Sequence, residues 1–190
     1  MIFKFSVLKK TSYTKGFTLI ELLVVLGILG ILAAALLAAI NPVEQLNKAN
    51  DASIKEAASQ FVTANTSYYS THNAFPWFTV ANGGANCYAS GNVLGNGTTT
   101  TVTLTALSGC VTSLVTAGEL KSSFQNLNTS IQNQIDVNEP GGVSSDLSVC
   151  FQPKSQSQQL DPNTKYNQYG GAGNSCKSQN GTNNCYWCAQ

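Results

Sequence analysis

The sequence has no arginine, one histidine and few charges of either sign, and each shortage removes a class of function. Without arginine there is no bidentate grip on phosphate, and ten lysines spread over 190 residues make no basic stripe. Strong nucleic-acid binding is therefore not expected. His72 alone excludes a histidine-rich metal centre and leaves any Ser-His-Asp arrangement resting on one residue, best read as a helix-end or surface position. The glycine-rich stretch YGGAGNS at 169–175 lacks the lysine and the strand-to-helix setting of a phosphate loop, and reads as a turn. No convergent set of nucleophile, base and acid exists, so neither catalytic activity nor a cofactor is expected. At 10% charged and 43% hydrophobic, the composition is also not that of a disordered polyelectrolyte.

What is present is concentrated at the amino terminus. Residues 17–40 carry a single charge, Glu21, over a run long enough for a helix of about 36 Å. That spans the ~30 Å hydrocarbon core of a bilayer. Lys4, Lys9, Lys10 and Lys15 precede it with no acid among them. The positive-inside bias keeps this leader in the cytoplasm and sends the chain after about Asn41 outward. A secretory signal peptide has the same order of parts, and Ala33, Ala34 and Ala35 mimic its cleavage site. Against that alternative, the run is too long for a signal core, an acid inside it is out of place, and helix-compatible sequence continues beyond it.

The stretch KGFTLIELLVVLGILGILAA, from Lys15, resembles the class III leader of type IV prepilins and type II secretion pseudopilins. A short basic leader ends in Gly16, Phe17 follows, and an acid stands at the fifth position of the apolar helix. The resemblance covers about the first forty-five residues. It implies cutting between Gly16 and Phe17 by a membrane-embedded prepilin peptidase, methylation of the new amine, and retention of the helix. It also implies that Glu21 of one subunit neutralises the terminal amine of its neighbour during filament assembly. The physical need is plain: an unpaired acid at the centre of a bilayer costs at least ~2.5 to 3.5 kcal/mol, less near an interface. The new amine lies about 6 Å along the axis from Glu21, and the helix dipole favours an acid in this first turn.

Small residues at Gly30, Ala34 and Ala38 recur every fourth position, which permits close helix approach or is ordinary membrane-helix composition. Asn41, Pro42 and Glu44 read either as an N-cap with proline at the first helical position and a capping box, or as a proline bend inside one long helix. Both place a bend or restart at Pro42. Beyond it, Leu46, Ile54, Ala57, Phe61, Ala64 and Tyr68 form an apolar stripe, with Lys48, Asp51, Lys55 and Glu56 at charged positions. This amphipathic helix needs a partner, expected to be a sheet made by the rest of the chain.

From about His72 the composition turns to Ser, Thr, Asn, Gln and Gly. TTTTVTLTAL (98–107) alternates and reads as a strand, GCVTSLVTAGELKSS (109–123) as a short helix, and SDLSVCFQP (145–153) and NNCYWCAQ (183–190) as strands. Three or four antiparallel strands are expected, the last two separated by a Gly- and Gln-rich segment from Gln156 to Asn184. FPWF at 75–78 is read as an anchor for the loop after the helix rather than as an exposed ligand platform. Sequons begin at Asn65, Asn96, Asn128 and Asn180, and carry little information in so Asn- and Thr-rich a chain.

All six cysteines, Cys87, Cys110, Cys150, Cys176, Cys185 and Cys188, follow the apolar run, and an even number in an exported segment reads as disulfides. Six thiols allow fifteen complete pairings. Nearest-in-sequence pairing joins Cys87 to Cys110, and the rest is taken as Cys150 with Cys188 and Cys176 with Cys185. A disulfide near the carboxyl terminus is common among pilins, the resemblance adds. The rivals are a redox CxxC at Cys185–Cys188, which lacks a βαβ setting, and a zinc site of Cys150, Cys176, Cys185 and Cys188, which lacks paired CxxC knuckles.

The expected fold is α+β: a long N-terminal helix, apolar then amphipathic, on a small antiparallel sheet with disulfide-stapled loops, as in pilins. Expected boundaries are a leader at 1–16, a membrane and filament-core helix at 17–40, its amphipathic half at 41–71 and an exported domain at 72–190. The implied partners are the prepilin peptidase, further copies of the chain, minor pilins, the inner-membrane assembly platform and, before assembly, the membrane itself. The alternatives are a minor pilin whose loops bind DNA or surfaces, through Lys154, Lys165, Lys177, Tyr166, Tyr169 and Trp187, and a secretion pseudopilin. Pseudopilins of the major kind often bind calcium, and the acids here are too scattered for such a loop.

Overall fold

The computed structural model describes residues 16–39, 41–77, 87, 94, 101–139, 147–171 and 185–190. The chain divides into two compact units, Met1–Asn41 and Pro42–Gln190.

The first unit contains α1, Leu19–Ala39, apolar on every side. With no polar face it has no surface to turn to water, and its large side chains stand exposed, from Val25 at 50% to Leu19 at 85%. Among the described residues it is the one helix long and apolar enough to cross a membrane, over Leu19–Leu37.

The second unit opens with α2, Pro42–His72. Proline at its first position matches the restart reading, since a missing N–H costs nothing where no helical acceptor exists. Its buried face runs Asp51, Ile54, Ala57, Ala58, Phe61, Ala64, Asn65 and Tyr68. Alanines at three of these let the backbone approach the sheet closely, while Ile54 and Phe61 fill the space between. Two positions depart from expectation. Leu46 is 66% exposed, since full burial along α2 begins only at Asp51. Asp51, assigned by pattern to a charged face, is 2% exposed.

Among the described residues five antiparallel strands form the sheet: β1 Val102–Thr103, β2 Asp136–Asn138, β3 Ser148–Phe151, β4 Thr164–Tyr166 and β5 Tyr186–Ala189, in the order β1-β2-β3-β5-β4. That exceeds the three or four expected. The two unforeseen strands, β2 and β4, are three residues each in polar sequence, too short for a period-2 signal. The threonine-rich stretch is corrected as well: only Val102–Thr103 is strand, and Leu104–Leu107 form a 3₁₀ turn leading into α3, Ser108–Thr116. Leu104 and Leu107 are both buried, a three-residue spacing that a turn of helix satisfies and a strand does not.

α2 packs across β3 and β5. Register places Val137 opposite Val149, Val149 opposite Ala189, and Phe151 opposite Trp187. Lys55 lies 4.8 Å over the Trp187 ring, so this is the face turned to α2. The alternate residues, Thr103, Asp136, Cys150 and Cys188, line up across four strands on the other face. The loop 167–171 crosses that face, held by Asn138 Nδ2 donating to the Gln168 carbonyl (2.6 Å) and Gln190 Nε2 to that of Gly170 (2.8 Å). Gly170 has φ +76, a backbone conformation that favours glycine, and a Cβ there would run into the Ser148 side chain.

Phe75 and Trp77 are buried and stacked at 4.8 Å, with Phe75 also 5.2 Å from Tyr69, so they anchor the chain leaving α2. Trp77 Nε1 donates to Glu139 Oε2 at 2.7 Å. Phe78 lies outside the described residues. His72 ends α2, exposed and stacked on Tyr68 at 3.9 Å.

Candidate functional site

The residues singled out for chemistry at the amino terminus sit at the start of α1. Gly16 and Phe17 precede the helix, Thr18 is its N-cap, and Glu21 lies in its first turn. Thr18 and Glu21 satisfy each other. The Glu21 Oε2 carboxylate oxygen accepts from the Thr18 backbone N–H at 2.9 Å and from the Thr18 hydroxyl at 2.8 Å. The Thr18 oxygen in turn accepts from the Glu21 N–H at 3.3 Å. This is the reciprocal capping box, which removes two orphan donors from a helix end. Its sequence signal is Thr-x-x-Glu before an apolar run, which the sequence reading above does not use.

Phe17 is 84% exposed, and among the described residues beyond its chain neighbours nothing comes within 4 Å of where a Cβ on Gly16 would stand. Internal packing therefore places no demand for glycine at 16. Gly27 and Gly30 are likewise open, which leaves their side of α1 able to admit another helix.

The second unit holds a different arrangement that sequence reasoning missed. Asp51 of α2 reaches the chain after β3. One carboxylate oxygen accepts from Ser155 N–H (2.7 Å) and Ser155 Oγ–H (2.6 Å), and both oxygens lie 3.1 Å from Lys154 N. This fixes the entry to α5, Gln156–Gln159, against α2, and Ser157 N–H donates to Glu44 Oε1 at 3.4 Å. No sequence pattern links an aspartate to backbone a hundred residues on. The pairing is a property of the folded chain.

Among the described residues two disulfides have both partners placed, Cys87–Cys110 and Cys150–Cys188. Cys185 is also disulfide-bonded, and its expected partner Cys176 lies outside the described residues. The Cys150–Cys188 bond removes two thiols from the four-cysteine zinc arrangement, and occupies the second cysteine of the CxxC. Among the described residues no three His, Cys, Asp or Glu side chains are grouped to hold a metal ion.

The residues considered for a nucleic-acid or surface platform do not converge. Trp187 is 8% exposed beneath Lys55, so its ring face is taken; Lys165 extends over the Tyr166 ring at 5.8 Å; Tyr169 is 40% exposed on the loop above the sheet. Lys177 lies outside the described residues. Of the sequons, Asn65 is buried and bonded to the Phe61 carbonyl, and Asn128 caps α4, Thr129–Gln132. Those at Asn96 and Asn180 lie outside the described residues.

One carboxylic acid on the outer face of the sheet has an altered proton affinity. Burial raises Asp136 to about 6, and the Tyr186 phenol is raised by its own burial and then by the Asp136 charge.

Compared with known families, residues 11–37 match the one described as the prokaryotic N-terminal methylation motif. No curated protein and no solved structure matches the chain.

Proposed function

The chain is a member of the type IV pilin and pseudopilin family, marked by its N-terminal methylation motif, and from that premise we propose that it is a structural subunit of a type IV pilus-like filament. Its work is assembly, and it performs no chemistry of its own. In this reading the prepilin peptidase cuts between Gly16 and Phe17, the new amine is methylated, and the whole of α1 stays on the mature chain. Before assembly α1 holds the subunit in the cytoplasmic membrane with the second unit outside the cytoplasm. After assembly the apolar helices pack together in the core of an extracellular filament.

The observation that carries this is the environment of Glu21. A carboxylate inside an apolar span is costly without partners. Here it is held at the helix start by two donors from Thr18, one residue from the terminus that cleavage would create. That position supports a meeting with the amine of an adjoining copy. Gly16, with open space around it, fits a demand made by a peptidase rather than by folding. The exposed apolar surface of α1 fits lipid first and neighbouring helices afterwards.

Co-expression with a prepilin peptidase, followed by amino-terminal sequencing and mass measurement, tests the reading. Removal of residues 1–16 with a methylated Phe17 supports it. Cleavage beyond Ala39, which would discard α1, overturns it.

A further inference from the structure

The apolar stripe of α2 is longer than the surface the second unit provides for it. Ile54, Ala57 and Phe61 are covered, yet Val43 and Leu46 lie on the same stripe, eleven and eight residues before Ile54, and are 63% and 66% exposed. Both are large aliphatic groups on a helix whose exposed positions are otherwise mostly polar or small, as at Gln45, Lys48, Ala49 and Asn50. The stripe thus overhangs the unit by about two turns, at the end where the chain leads into α1.

The length of connecting chain limits what can cover this overhang. α1 has 21 residues and spans about 32 Å, close to the ~30 Å hydrocarbon core, so Ala39 falls near the outer hydrocarbon boundary. Val43 follows four residues later, at most about 14 Å even in extended chain, and about 6 Å if the rise stays helical. The headgroup layer on each side is itself about 5–7 Å deep. For a subunit not yet in a filament, the apolar phase within reach is therefore the lipid boundary.

We propose that Val43 and Leu46 form an interfacial foot, seated in the lipid headgroup layer on the non-cytoplasmic side while α1 anchors the subunit. The inference rests on the membrane-stored state proposed above. The foot gives the second unit a fixed footing on the membrane. On entry to a filament it is released, and the same side chains become available to a neighbour.

Nitroxide labels on full-length protein test this, introduced by Leu46→Cys, Leu29→Cys and Thr112→Cys. The protein is reconstituted at high dilution in vesicles of phosphatidylcholine with a minority of phosphatidylglycerol. Collision with oxygen, which concentrates in lipid, is compared with collision with a water-soluble nickel chelate. The expected result is that the labels at 29 and 46 favour oxygen, while the label at 112, an exposed position of α3, favours the chelate. If 46 behaves like 112 while 29 remains in lipid, the foot is wrong and the anchor stands. If 29 itself meets the chelate, the membrane reading fails and the foot with it. If 46 is shielded only at high protein-to-lipid ratio, a second copy covers it and the proposal is overturned.

Discussion

Glu21 and Thr18 hold one another across the first turn of α1, the carboxylate taking both the backbone and the hydroxyl proton of the threonine. A carboxylate so held keeps its place at the terminus without any other subunit. Its proposed meeting with a neighbour's amine is thus an exchange or sharing of partners, rather than the first relief of a bare charge.

Thr18→Val keeps the side-chain shape and removes the hydroxyl. The loss is expected to destabilise the first turn by about 0.5–2 kcal/mol, the range for a lost cap. In detergent-solubilised protein the amide protons of residues 19–22 then exchange with solvent faster, and those in the middle of α1 do not. Unchanged exchange in the first turn would mean that the hydroxyl contributes nothing.

Asp51→Ala leaves the N–H groups of Lys154 and Ser155 and the Ser155 hydroxyl without their acceptor. With buried donors stripped of a charged partner, a loss of about 2–4 kcal/mol is expected. Asp51→Asn, which keeps one acceptor oxygen, loses less. Urea midpoints under non-reducing conditions measure both, and equal effects of the two variants would count against the clamp.

Asp136 binds its proton more tightly when folded, with a value of about 6 against an ordinary one of 3.8. Between these pH values the native state holds more protons than the unfolded state, so stability falls as pH rises through the window. The contribution is present below about pH 4 and lost above about pH 6. Asp136→Asn is therefore expected to be more stable than the parent at pH 7, by on the order of 1 kcal/mol after discounting for partial solvent contact. The difference shrinks to nothing toward pH 4. Denaturant midpoints at pH 4, 5.5 and 7 check the trend, and a pH-independent difference contradicts it.

What could be read in advance follows the strength of local signals. The span of α1 and the stripe from Ile54 to Tyr68 are long and periodic, and the structure places them as helices. Strands β3 and β5 each carry apolar residues beside a cysteine and were visible. β2 and β4 were not, since strands of three residues in polar sequence exist only through their neighbours. Leu104 and Leu107 fall in a stretch where Val102, Leu104 and Ala106 alternate with threonines and so imitate a strand. The Thr18–Glu21 box was legible and overlooked, whereas the Asp51 clamp depends on a contact across about a hundred residues that no local pattern encodes.

The central claim is tested most directly by replacing Glu21 with glutamine and measuring filament yield in cells that make the peptidase and assembly machinery, with leader removal scored in the same samples. Glutamine retains the acceptor oxygen for Thr18 and loses only the charge. The account predicts normal processing, normal retention in the membrane and a severe loss of filaments. Filaments formed at the parental level, with subunits in the same order, would contradict it.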